Sequence, residues 1–121
     1  MPMALEGIRI LDWTAAQQGP VATQMLADMG AEVIKIEPPD RGDRGRGMKH
    51  IRGDDAVSKG VNAYFEAHNR NKKSMTINLE HDKSREIIYR LIAKSDVFVH
   101  NFRVGSAERM GVGYEDLKKI N

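Results

Sequence analysis

At 121 residues the chain has room for one domain around one apolar core, and 40% apolar with 30% charged residues excludes a disordered or fibrous class. A net charge of +2 with few, scattered aromatic residues does not describe a nucleic-acid-binding face, and the absence of cysteine removes disulfides, thiolate zinc sites and cysteine nucleophiles together. No basic leader followed by a long apolar segment opens the sequence, and no apolar run approaches the roughly 18–20 residues that span a bilayer, so the expectation is a cytoplasmic protein without membrane or nucleic-acid partners.

Gly7 to Trp13 reads as a buried strand. Gly19-Pro20 breaks it, with Pro20 suited to a first helical position, and Val21, Met25 and Met29 with Leu26 predict the apolar face of a helix that stops at Gly30. Ala31 to Glu37 alternates as a second strand, which completes a strand-helix-strand unit with a right-handed parallel crossover. From Pro38 to about Asn62 the pattern dissolves into a long basic loop with Arg41, Arg44, Arg46, Lys49 and Arg52, either a binding loop or a solvated insertion.

Ala63 to Ala67 predicts a short helical turn, Asn69 to Lys73 a polar turn, and Ser74 to Leu79 a strand. Asp82 is placed as the N-cap of a helix over about Lys83 to Lys94, whose buried face is Ile87, Ile88, Leu91 and Ile92. Val97-Phe98-Val99 forms another buried strand ending at Asn101-Phe102, and Gly105 to Met110 and Tyr114 to Ile120 read as short helices. The alternation predicts an α/β fold, a doubly wound, Rossmann-like open parallel sheet with helices on both faces, which continues past Asn121 so that the 121 residues are a fragment.

In such a sheet ligands gather at the carboxyl ends of the strands. Three ends are visible: Thr14 to Gly19, the loop from Glu37-Pro38, and Asn101 to Gly105, where asparagine and glycine also fit ordinary turn chemistry. Glu37 closing the strand-helix-strand unit supplies half of a dinucleotide fingerprint, but Gly19 stands alone where G-x-G-x-x-G is needed. Phosphate-loop, zinc-protease and serine-hydrolase motifs are missing. His50, His68, His81 and His100 are scattered without partners at metal-ligand spacing, so no metal site is expected, and the seven methionines read as core filler.

The ordered series Leu5-Glu6-Gly7-Ile8-Arg9-Ile10-Leu11-Asp12, Gly19-Pro20, Leu26 through Pro39, Gly42-Asp43, Arg46-Gly47, Asn69-Arg70-Asn71-Lys72-Lys73-Ser74, Ser95 through Gly105 and Met110-Gly111 resembles the amino-terminal region of the class III CoA-transferases and their 2-methylacyl-CoA racemase relatives. The resemblance spans nearly the whole chain. It implies an enzyme that moves CoA between an acyl-CoA thioester and a carboxylic acid through an aspartyl intermediate, with coenzyme A as substrate, no tightly bound cofactor, and an interlocked homodimer at full length.

The resemblance further implies that residues 1–121 are the first part of the large CoA-binding domain and that the nucleophilic aspartate lies beyond Asn121 with no catalytic residue before it; Asp12, at the end of a buried strand, and Asp28, in a helix before Gly30, read as structural. It assigns CoA contacts to Gln17, Gln18, Ile77, Glu80, Asn101, Phe102, Arg103 and Arg109. Pro38 and Glu80 depart from the family, since some relatives carry basic residues there. Racemase activity within the family and a non-catalytic CoA- or nucleotide-binding module stay open as alternatives.

Overall fold

The computed structural model describes residues 1–47, 57–58 and 61–121. Its elements are β1 (Arg9–Trp13), α1 (Gln18–Asp28), β2 (Glu32–Glu37), a 3-10 turn (Arg44–Gly47), β3 (Val57–Ser58), β4 (Val61–Asn62), α2 (Ala63–Asn69), β5 (Lys72–Thr76), α3 (Ser84–Ile92), β6 (Val97–His100), α4 (Ser106–Arg109) and α5 (Tyr114–Leu117). Strands β5-β2-β1-β6 form one parallel sheet in that order, and β3 and β4 pair as a separate antiparallel hairpin within the basic loop. The chain winds outward from β1 through β2 to β5, then returns to the other side of β1, so the order reverses between β1 and β6.

Strand alternation divides the sheet into two unlike faces. One face carries Leu11, Trp13 and Ile36 into a core completed by Ile77, Ile88, Ile92, Ala107, Val112 and Leu117, which brings α3, α4 and α5 onto it. The opposite face begins with an apolar patch of Ile10 and Val33 against Ala27 and Ala31. Toward the carboxyl edge, that same face turns charged, with Asp12, Lys35 and Glu37 each no more than 1% exposed.

Every one of those charges is matched. Asp12 accepts from Thr14 N at 3.0 Å and Thr14 Oγ1 at 2.5 Å on one oxygen, and from Thr23 Oγ1 at 2.6 Å and Lys72 Nζ at 3.0 Å on the other. Lys72 spends its remaining protons on Pro20 O at 2.8 Å and Asn69 Oδ1 at 3.0 Å, so one ammonium joins β5, β1, α1 and α2. Burial lowers the pKa of Lys72 and Asp12 opposes that shift. Lys35 Nζ donates to Thr14 O at 2.7 Å and stands 2.7 Å from Asp43 Oδ2, where charge attraction acts without a directed hydrogen bond.

Glu37 anchors the start of the basic loop. It receives Arg46 through both oxygens at 2.7 and 2.8 Å, Asp43 N at 2.9 Å and Ser74 Oγ at 2.8 Å. Arg46 also lies 3.6 Å from the centroid of the Phe65 ring. Burial alone would raise the Glu37 carboxyl, but these donors prevail and bring it down to about 2.

The differences from the sequence expectation have physical causes. α1 packs through Pro20, Thr23, Gln24 and Ala27, with Thr23 against Asp12 and Ala27 against the patch of Ile10 and Val33, which leaves Met25 on its outer side and Met29 just past its end 58% and 48% exposed. Met1 and Met3 are exposed too, so only Met75 and Met110 pack against the core among the described methionines. Pro20 is the third residue of α1. Gly30, at φ +102°, is the expected left-handed stop, and a Cβ there would meet Met3.

β5 starts two residues earlier than expected, at Lys72, and ends at Thr76, although Ile77 N still reaches Glu37 O at 3.0 Å. Asp82 does not cap α3: the cap position is Lys83, with no side-chain capping bond, and the Ser84 hydroxyl instead donates back to His81 O at 2.6 Å. Ile87 of the expected buried face is 41% exposed. Lys49, His50 and Arg52 of the basic loop lie outside the described residues.

Two outcomes follow. Lys72→Met leaves Asp12 as an unpaired buried charge and lowers the unfolding free energy in urea by about 3–5 kcal/mol, whereas adding Asp12→Asn recovers part of that loss; a loss below about 1 kcal/mol for the single variant would contradict the role of the pair. Glu37 has a depressed folded pKa, so its contribution is complete above its ordinary value of 4.5 and disappears as pH falls toward 2. Glu37→Gln therefore flattens the stability decline across that interval, where the native carboxylate loses on the order of 2–3 kcal/mol, measurable by denaturation at stepped pH.

Candidate functional site

The β1 exit is built to expose backbone. Thr14 is held by Asp12 through its N–H and by Lys35 through its carbonyl, and Ala16 follows at φ +68° with its N–H 3.3 Å from Asp43 Oδ1. Gly19 rests against Thr14 so closely that a Cβ there would collide with the threonine side chain. α1 consequently begins directly above the strand end. Gln17 and Gln18 are exposed at its start, and the Gln17 side chain makes no capping bond.

The β6 exit is fastened to it. The Asn101 amide donates to Ala15 O at 2.8 Å and accepts from Ala15 N at 3.0 Å, which continues the pairing of β1 and β6 one step beyond the strands. This junction is the place where strand order reverses, the usual ligand crevice of an open α/β sheet. Phe102, half-buried, meets the Trp13 ring edge-on at 4.8 Å between centroids and stacks on His100 at 4.9 Å. Arg103 is exposed and has no ion-pair partner among the described residues. Gly105, at φ +78°, turns the chain, and Arg109 Nη2 donates to Ser106 Oγ at 2.9 Å.

Two cavities share Trp13 as a lining residue. The first, about 230 Å³, lies among Trp13, Ala15, Pro38, Arg41, Arg44 and Phe102. The second, about 240 Å³, lies among Trp13, Glu80, Arg85, Arg109 and Met110. A larger cavity of about 430 Å³ follows the open edge of β6 around Phe98, Val112 and Leu117 and is lined by none of the expected site residues. The reversal of strand order, not volume, therefore locates the candidate site.

The expected site residues are distributed over this edge. Glu80 and Arg109 share the second cavity and Phe102 lines the first, while Gln17, Gln18, Asn101 and Arg103 belong to the two strand exits beside them. Ile77 is 5% exposed within the core and its N–H is already engaged by Glu37 O, so its side chain does not face either cavity. Asp12 is enclosed by its four donors, and Asp28 accepts from Gln24, Arg70 and Asn71. Sequence reasoning overlooked Trp13 and Arg85. Trp13, the single tryptophan, ends β1 at the reversal point and offered a signal in its position, whereas Arg85 was one charge among many on a solvated helix.

Among the described residues no group of three or more histidine or acidic side chains could hold a metal, and no helix is long and apolar enough to cross a membrane.

Residues 5–121 match the family described as CoA-transferase family III. The chain is 43% identical over its whole length to a formyl-CoA:oxalate CoA-transferase of Afipia carboxidovorans and 44% identical over 98% of its length to an acyl-CoA transferase of Fusarium pseudograminearum; it spans 27% and 26% of those proteins. The structure superposes on a CAIB/BAIF family protein from Brucella suis with a TM-score of 0.86 at 36% identity, covering all of this chain and 32% of that one. Against Rv3272 from Mycobacterium tuberculosis the TM-score is 0.84 at 37% identity, covering 98% and 30%. With sequence and fold in agreement over nearly every residue, the chain belongs to CoA-transferase family III.

Proposed function

We propose that these residues form the first part of the CoA-binding domain of a cytoplasmic enzyme that moves CoA from an acyl-CoA to a free carboxylic acid, and that the enzyme works as an interlocked homodimer. The observation that carries this reading is the crevice clamped by Asn101 and Ala15 at the strand-order reversal, in a chain of this family. Exposed Met25 on α1 and Met29 just past its end support an assembly that covers that helix.

The transfer makes a specific demand on the binding edge. A carboxylate attacks the thioester carbonyl and expels CoA as thiolate, leaving a mixed anhydride. That thiolate then attacks the enzyme's acyl carbonyl, releases the first acid and forms an enzyme thioester. The incoming acid repeats the two steps in reverse order. CoA leaves and re-enters covalent attachment twice, so it must stay fixed by its remote parts throughout, and holding it supplies the effective concentration each return step needs.

The residues at the crevice suit that task. Arg103 and Arg109 are guanidiniums matched to phosphate oxygens, Phe102 and Trp13 give an apolar wall to pantetheine or adenine, and the Gln17 and Gln18 amides and Asn101 backbone stand at the rim. Glu80 contributes through its backbone. The nucleophile lies outside residues 1–121: Asp12 is consumed by Lys72, Thr14 and Thr23, and Asp28 by Gln24, Arg70 and Asn71.

Arg109→Ala weakens CoA binding to the full chain by about 1–3 kcal/mol in calorimetry, as expected for a charge-assisted hydrogen bond, and Arg103→Ala acts in the same direction. Unaltered affinity in both single variants and in the pair removes the assignment. Trapping the acyl-enzyme with hydroxylamine and mapping the modified carboxylate yields neither Asp12 nor Asp28; modification at either one would overturn the mechanism.

A further inference from the structure

Arg85 lies in the first turn of α3, away from both strand exits, yet it lines the same cavity as Arg109. Its position is set by a gap in the opposite backbone. Gly111 adopts φ +70°, and a Cβ built there would stand 3.0 Å from Arg85 Nε and 3.2 Å from Cζ. The guanidinium thus lies across the space that a side chain at residue 111 would fill. The Gly111 carbonyl is itself fixed by Tyr89 Oη, which donates to it at 2.7 Å, so the surface under Arg85 is held by the same helix that carries it.

The charges around the cavity explain why this placement matters. Glu80 and Asp82 also line it, and neither comes within 4.0 Å of Arg85 or Arg109 as an ion pair among the described residues. Arg109 is engaged only by the Ser106 hydroxyl, and Arg85 has no hydrogen-bond or ion-pair partner there. Arg109 alone would face two carboxylates, a rim that repels an anion. Arg85 brings the rim to neutrality.

We infer that Arg85, seated over Gly111, is a second phosphate-binding guanidinium of this cavity and works with Arg109 on the polyanionic end of the ligand. The inference rests on the reading of this edge as the CoA site, and adds to it a residue from a different element. A guanidinium offers several N–H donors in a fixed, in-plane fork, which suits phosphate oxygens better than a freely rotating ammonium.

The test is calorimetric titration of CoA into the full chain at low and high salt, with circular dichroism confirming that each variant is folded. Arg85→Ala should raise Kd about 5–20-fold at low salt, with the gap to the parent protein narrowing at high salt, as screening of a phosphate contact requires. Arg85→Lys should recover only part of the loss, and Gly111→Ala, which displaces the guanidinium, should weaken binding in the parent but add little in an Arg85→Ala background. If Arg85→Ala binds CoA as tightly as the parent while Arg109→Ala does not, the inference fails and the CoA reading survives. If neither variant changes Kd, the CoA reading of this edge fails with it. A Gly111→Ala loss that persists undiminished without Arg85 also overturns the inference, since backbone strain then accounts for it.

Discussion

The buried pair of Asp12 and Lys72 fixes the relation of four elements, β1, α1, α2 and β5. A lysine ammonium has three protons, and here they go to the carboxylate on β1, the carbonyl of Pro20 in α1 and the amide of Asn69 at the end of α2. A buried cation left with a spare donor is costly, so only one arrangement of these elements satisfies it. The carboxylate imposes the same condition from the other side, because its remaining lone pairs need Thr14 and Thr23. Thr14 is in turn the first residue of the β1 exit, so the requirement of one ion pair is transmitted to the edge where strand order reverses.

The unlike faces of the sheet serve different ends. The apolar face supplies most of the buried hydrocarbon, from Leu11 to Leu117, and with it the driving force for folding. The charged face adds little net stability by comparison, since desolvation of each ion offsets much of the attraction. What it adds here is position. Lys35 ties Thr14 to Asp43, Glu37 ties Arg46 and Asp43 to β5 through Ser74, and the start of the basic loop is thereby held against the strand ends.

The order of the parallel strands and the helices between them was legible because it depends on local signals, alternation in Glu32–Glu37, Gly30 at a positive φ and the apolar spacing of Ile88 and Ile92 in α3, whereas the β3–β4 pair within the basic loop was not foreseen. The three strand exits followed from that order alone. The buried face of α1 was not legible, since Thr23 and Gln24 face inward only because Asp12 and Lys72 await them from distant parts of the chain. The same holds for the cap of α3, where the Ser84 hydroxyl turns back to His81 O and the place read for Asp82 is left to Lys83. Arg85 became visible as a candidate site residue only when the fold brought Gly111 and Arg109 beside it.

The central position of β1 also has a consequence for the order of assembly. Its register with β2 joins Arg9 to Glu32 and closes within the first strand-helix-strand unit, but its register with β6 joins Ile10 to Val97, far later in the sequence. Loop closure makes the second pairing the slower one, and a chain emerging from the ribosome can form the first long before the second exists. Since Asn101 grips Ala15 only after β6 has docked, the crevice between the two strand exits closes late, and a nascent chain cannot form it until synthesis has passed Asn101.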